Sequence, residues 1–155
     1  LMAPALKIET VAAGGGSICS FDGELFRVGP ESAGVQPGPA CYGAGGPLTI
    51  TDVNLLLGRL DLDSFNLPVF PDAAEDALRA AQLSHASSHE EILQGFLAIA
   101  NDRMANAIRK VSVREGYDPA EYALVAFGGA GGQHACAVAE RLGMRRILFR
   151  PTRDC

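Results

Sequence analysis

Tyr122–Phe149 reads YALVAFGGAGGQHACAVAERLGMRRILF, and this stretch decides the fold class. Tyr122–Phe127 is a short apolar run bounded by turn residues, which predicts a buried strand. Phe127 delivers the chain into Gly128, Gly129, Ala130, Gly131 and Gly132. Gln133–Leu142 then has helical character, with Gly143 placed to stop it and Arg146–Phe149 as a second strand. Strand, glycine turn, helix and strand in that order predict a parallel pair and an α/β architecture.

Working outward from there, the segment before the first strand is the clearest helix in the chain. Ser88 and Glu91 form a capping-box pattern. Ile92, Leu93, Phe96, Leu97, Ala100, Met104, Ala107, Ile108 and Val111 then recur at helical spacing, so the helix should run to about Glu115 and end at Gly116. A polar joint, residues 83–88, precedes it, and a shorter helix is expected near Ala73–Gln82 after the breaks at Pro68 and Pro71. Thr51 or Asp52 can cap a helix over Val53–Leu60, with Leu48–Ile50 as a short strand before it.

Residues 29–47 hold ten glycines and prolines, a composition that excludes helix and central strand and predicts a long binding loop. Upstream, Ile18–Phe21 and Leu25–Val28 flank Asp22-Gly23, a hairpin signal. Ile8–Ala13 is β-prone and runs into Gly14-Gly15-Gly16-Ser17.

Composition narrows the function. With 48% hydrophobic residues the chain can build a core. Thirteen basic against eighteen acidic residues, a net charge of −5, and no basic stripe argue against a nucleic-acid partner. No apolar run approaches the roughly 20 residues of a membrane span. The four cysteines, Cys19, Cys41, Cys136 and Cys155, lie far apart without metal-site spacing and read as reduced thiols of a cytoplasmic protein. Both ends read as cut, so a fragment is expected.

The chemistry-bearing segments are the two glycine turns. A strand that hands glycines to a helix start presents unpaired N–H groups and the positive end of the helix dipole, and the missing side chains let a ligand approach the backbone. The Gly128–Gly132 run fits neither the dinucleotide fingerprint nor a P-loop. Two such turns predict one ligand held between two lobes. Asp52 is either a helix cap or a carboxyl base or metal ligand, and His134 either an ordinary polar residue of a helix start or a group reaching a phosphate or metal. Cys41 is a nucleophile only if a base lies near it in space; otherwise it is a small packed residue. His85 and His89, among serines, read as surface.

Taken in order, TVAAGGGS (Thr10–Ser17), VGPESAG-x-x-PGPACY (Val28–Tyr42), TD-x-NL-x-LGRL (Thr51–Leu60) and FGGAGGQHAC (Phe127–Cys136) resemble the ATP-dependent hydantoinase/oxoprolinase family, most closely its members that open 5-oxoproline. REGYDPAEYALVAFGGAGGQHA (Arg114–Ala135) is the strongest part of the likeness. The resemblance implies part of an actin-like ATPase fold, a mixed sheet with flanking helices, with residues 1–155 as the C-terminal portion of the ATPase domain. It implies that Gly128, Gly129, Gly131, Gly132 and Gln133 cradle the adenosine of ATP. Gly14, Gly15, Gly16 and Ser17 approach the phosphates in that scheme. Asp52 and His134 are its candidate catalytic residues, and its metal ligands remain open. The implied reaction is ATP-driven hydrolysis of 5-oxoproline to glutamate with magnesium (Mg2+); hydantoin-opening and ketone-carboxylating members are the alternatives. A non-catalytic domain that binds a nucleotide or a partner protein is the reading from a different class. The implied partners are a small cyclic amide, the remainder of the enzyme or a partner subunit, and a second copy of the full-length protein. The family's N-terminal phosphate loops are absent and RRILFRPTRDC departs from its pattern, so weak nucleotide affinity and no ATPase activity are expected of this chain alone.

Overall fold

The computed structural model describes residues 9–60, 62, 67–81, 87–128 and 131–149. The chain divides into two units, Ala12–Asn101 and a second made of Leu1–Val11 with Asp102–Cys155. One long helix, His89–Arg114, contributes its first half to the former and its second half to the latter.

The Ala12–Asn101 unit opens with a hairpin of β1 (Ser17–Phe21) and β2 (Phe26–Ser32), paired antiparallel with Phe21 opposite Phe26. The Asp22-Gly23 signal is borne out, in a four-residue connection. The Asp22 carboxyl accepts from the Glu24 and Leu25 amides and from the Arg27 side chain, which closes the turn. β2 continues through Gly29 and Pro30 to Ser32, so the Gly/Pro stretch opens as an edge strand, in keeping with its exclusion from a central one. In a two-stranded sheet every strand is an edge, where the missing proline N–H is tolerated. Glu9–Ala13, the described part of the expected first strand, is not a strand, and of Leu48–Ile50 only Thr49 bridges, to Ile18.

The helix α1 covers Ile50–Leu56. Its N-cap is Thr49 rather than Thr51 or Asp52, and it stops short of Leu60. Gly58, at φ 66°, sends its N–H to Leu55 and the Arg59 N–H to Asn54, a Schellman end. α2 (Pro71–Ala81) begins on Pro71, where the absent N–H costs nothing, and buries Ala74 and Leu78 one turn apart. The core of the unit is Val28, Ile50, Val53, Leu78, Ile92 and Phe96, with Phe26 meeting Phe96 edge to face at 5.1 Å.

α3 (His89–Arg114) starts as its sequence predicts. Ser88 Oγ accepts from the Glu91 amide and Glu91 accepts from the Ser88 amide. It ends in a Schellman turn at Gly116, whose amide donates to Val113 while that of Tyr117 donates to Ser112. Leu83–Ala86 of the polar joint, His85 among them, lie outside the described residues; His89 is exposed.

In the second unit β3 (Ala123–Ala126) and β4 (Arg146–Phe149) pair in parallel, joined by α4 (Gly131–Arg141), as expected. Ala105, Val138 and Leu142 form its core, with Met104, Ile108, Leu124 and Met144 against them. The expectation of a buried strand is corrected: Val125 is 52% exposed and Phe127 72%. Among the described residues no helix is long and apolar enough to cross a membrane.

Candidate functional site

The turn Gly14–Ser17 enters β1, and each of its glycine carbonyls is claimed by a different donor. Gly14 accepts from the Ser17 amide at 2.9 Å, closing the turn. Gly15 accepts from both the amide and the hydroxyl of Thr51, at 2.8 and 3.0 Å, and Gly16 accepts from the Ala33 amide at 2.9 Å. Among the described residues the amides of Gly15 and Gly16 have no acceptor. In a trans peptide the carbonyl and the following N–H point in opposite directions, so the turn directs its acceptors inward and its donors elsewhere. A Cβ on Gly16 would approach Ser32 Oγ to 2.9 Å, whereas one on Gly14 meets open space. Ser17 is buried in the hairpin, paired with Ser32.

Beneath this turn lies Asp52, which is fully buried. One carboxyl oxygen accepts from the Cys41 amide at 2.7 Å. The other accepts from the amides of Thr49 and Ala40 at 2.7 and 3.2 Å, and from the Thr49 hydroxyl at 2.9 Å. Asp52 is thus the third residue of helix α1, in a capping box with Thr49, and pins the short 3-10 turn Ala40–Tyr42 to the helix start. A carboxyl so engaged and so buried has no face open to a reactant, so of the roles left open to Asp52 by its sequence the geometry favours the helix cap over the base or metal ligand. The long loop is held rather than loose for the same reason. At Gly46 a Cβ would overlap the Gly38 carbonyl, so the two arms of the loop touch backbone to backbone. Cys41 is also fully buried. Burial first, and then the neighbouring Asp52, push its thiol far above the ordinary range, so it packs and does not act as a thiolate.

The second turn belongs to the other unit. Gly128, at φ 83°, follows β3 in a conformation that favours glycine. Gly129 lies outside the described residues. Gly131, Gly132 and Gln133 form the first turn of α4, where the helix has amides without intrahelical partners. A Cβ on Gly132 would meet only the Phe149 ring, at 3.8 Å, an ordinary contact. His134 is buried at 3% exposure and lines a cavity of about 440 Å³ with Phe127, Val138, Met104, Ile108 and Val111. Glu9, at the same cavity, is tied to Lys110, whose hydrogen bond holds the Glu9 carboxyl below its usual range.

The structure therefore brings Gly14–Ser17 together with Thr51 and the Asp52 cluster, and separately brings Gly128 and the start of α4 together with His134 and an apolar cavity. Thr51, Thr49 and Ala33 were not among the expected site residues. Thr51 lies 36 positions from the glycine it holds, a pairing that no local pattern encodes.

Known proteins fit this geometry. A model of the hydantoinase/oxoprolinase family matches residues 1–154. The chain is 48% identical to 5-oxoprolinase PfmaA of Pestalotiopsis fici over 94% of its own length and 12% of that protein's. The crystal structure of an ATP-dependent caprolactamase from Pseudomonas jessenii superposes with a TM-score of 0.83 at 42% identity, covering 92% of this chain and 22% of that one. A nucleotide-free acetone carboxylase gives a TM-score of 0.75 at 27% identity, covering 87% and 20% respectively. The chain thus spans only 12% to 22% of the length of these relatives. The expected fold class, part of an actin-like ATPase with mixed strands and flanking helices, stands with these matches. On the span of the family match and the identity to its members, this chain belongs to the hydantoinase/oxoprolinase family.

Proposed function

We propose that this chain is a nucleotide-contacting portion of an ATP-dependent hydrolase of cyclic amides. The reaction assigned is 5-oxo-L-proline, ATP and two waters giving L-glutamate, ADP and phosphate. The observation that carries the reading is the Gly14–Ser17 turn, where three inward carbonyls leave the Gly15 and Gly16 amides to a ligand. A turn that offers donors and no side chains suits phosphate oxygens. Gly128, Gly129, Gly131, Gly132 and Gln133 are assigned to the nucleoside, because Phe127 and His134, on either side of them in the sequence, line the apolar cavity. Bound ATP supplies the phosphoryl group that converts a resonance-stabilised lactam into an electrophile for water. The chain's own part is positioning and charge stabilisation.

Among the described residues no three His, Cys, Asp or Glu side chains converge on a point. The lactam substrate is favoured over a ketone because identity to the oxoprolinase and the caprolactamase exceeds identity to the acetone carboxylase. The free thiols of Cys19, Cys41 and Cys136 agree with a cytoplasmic setting.

Calorimetric titration of the chain with MgATP, with circular dichroism beside it, tests the assignment. Saturable millimolar binding is expected, weakened several-fold in Gly132→Ala, a substitution for which the fold has room. A folded chain that binds no MgATP would sink the assignment. Phosphate release by the full-length protein with 5-oxo-L-proline, hydantoin or acetone then separates the substrates.

A further inference from the structure

A run of three glycines has more backbone freedom than any other tripeptide, so its conformation must be imposed from outside. Here the three carbonyl contacts impose it, and the contact at Gly15 differs in kind from the other two. Two donors of one residue, the Thr51 amide at 2.8 Å and the Thr51 hydroxyl at 3.0 Å, converge on a single oxygen. One donor fixes a distance and leaves the peptide plane free to roll about it. A second donor on the other lone pair restricts the roll. Since the Gly15–Gly16 peptide is planar and trans, restricting its carbonyl also aims the Gly16 N–H.

We propose that Thr51 is the positioning residue of the phosphate-facing turn, setting the direction of the Gly16 N–H through its two bonds to the Gly15 carbonyl. The inference rests on the nucleotide reading of Gly14–Ser17 given above.

Three features make Thr51 suited to this. Its amide belongs to the first turn of α1, where N–H groups lack intrahelical acceptors, so donating to Gly15 takes nothing from the helix. Its β-branched side chain has few rotamers, which keeps the hydroxyl aimed. Its neighbour Asp52 anchors the helix start to Thr49, Ala40 and Cys41, so the donor stands on a fixed base. Asp52 thereby acts on the turn at one remove, through the helix that carries Thr51.

The test is an amide-resolved NMR titration of the isotope-labelled chain with MgATP, run well below the melting temperature of each variant. In the wild type the Gly15 and Gly16 amide signals should move and saturate together. Thr51→Val keeps the shape and the backbone donor but removes the hydroxyl. It should weaken MgATP about three- to tenfold, the range of one hydrogen bond, and shrink the Gly16 response. Thr51→Ser, which restores the hydroxyl, should recover most of the affinity, and Thr51→Ala serves in place of the valine variant if that one does not fold. A purely structural role predicts a lower melting temperature in Thr51→Val with unchanged affinity, and that result overturns the proposal. Gly14→Val separates the two failures, because its side chain enters open space. If Gly14→Val weakens binding and Thr51→Val does not, the nucleotide reading survives and the positioning role falls. If the Gly15 and Gly16 amides ignore MgATP and Gly14→Val changes nothing, the nucleotide reading itself falls, and the proposal with it.

Discussion

The two glycine turns look alike in sequence and differ in almost every physical respect. Gly14–Ser17 is bound on its carbonyl side by Ser17, Thr51 and Ala33 and stands over a buried carboxyl with four donors. Gly128 leads from a half-exposed strand into a helix whose start lines an apolar cavity. One is a polar structure that fixes the direction of N–H groups; the other is an apolar recess with a helix terminus beside it. A glycine run is therefore not a single signal. What decides its chemistry is which partners claim its carbonyls and what lines the space beside it.

The largest test of this contrast is Asp52→Ala. It strands the Cys41 and Thr49 amides and the Thr49 hydroxyl in a buried place, while the Ala40 amide keeps the Pro47 carbonyl, and it removes a capping box, so a loss of about 4 kcal/mol is expected. Chemical denaturation measures the loss, and hydrogen exchange should show it first at Thr51 and Ala33. A cost below about 1 kcal/mol, the range of an ordinary surface change, would mean that the polar network does not hold the turn.

Leu142→Ala probes the apolar side. Leu142 packs with Ala105 and Val138, and its truncation should cost about 2–3 kcal/mol by lost burial and residual cavity. Exchange protection should then fall along α4 while the Thr51 amide keeps its protection. The reverse pattern would dissolve the distinction between the two regions.

The smallest effect is expected in the hairpin that carries the first turn. The Asp22 carboxyl is held at about 2, below its ordinary 3.8, by the Leu25 amide first and then by Arg27 and the Glu24 amide. A depressed carboxyl contributes stability that is fully present above its unfolded value and is lost as pH falls through the folded one. Asp22→Asn should accordingly flatten the pH dependence of the denaturation midpoint between 3.8 and about 2, and leave it unaltered at neutral pH apart from a constant offset. An unchanged slope in that window would remove Asp22 from the account of the turn.

Legibility followed the range of the forces involved. The Ser88–Glu91 cap, the Asp22-Gly23 hairpin and the stops at Gly116 and Gly143 were readable because each is settled within a few residues. The start of α1 was not. Thr49, Thr51 and Asp52 are all good caps, and the choice was made by Thr49 bridging to Ile18 and by the distant amides of Ala40 and Cys41. The exposure of Val125 is not legible in the sequence, because an apolar run reports a preference for burial and not which neighbour provides it. Both glycine turns could be found from sequence, yet Asp52 as a pin and Thr51 as a clamp rest on pairings 11 to 36 residues apart.

The inward carbonyls of Gly14–Ser17 have one more consequence. In most folds a segment held firmly is also one whose amides are slow to exchange with water, because the same hydrogen bonds do both. Here the acceptors are tied and, among the described residues, the Gly15 and Gly16 donors are not, so holding and shielding come apart. The turn should be as still as a strand and yet exchange as fast as a free loop. Slowing at just those two amides, with no other change in the spectrum, would then report occupancy of the turn without any label attached to the ligand.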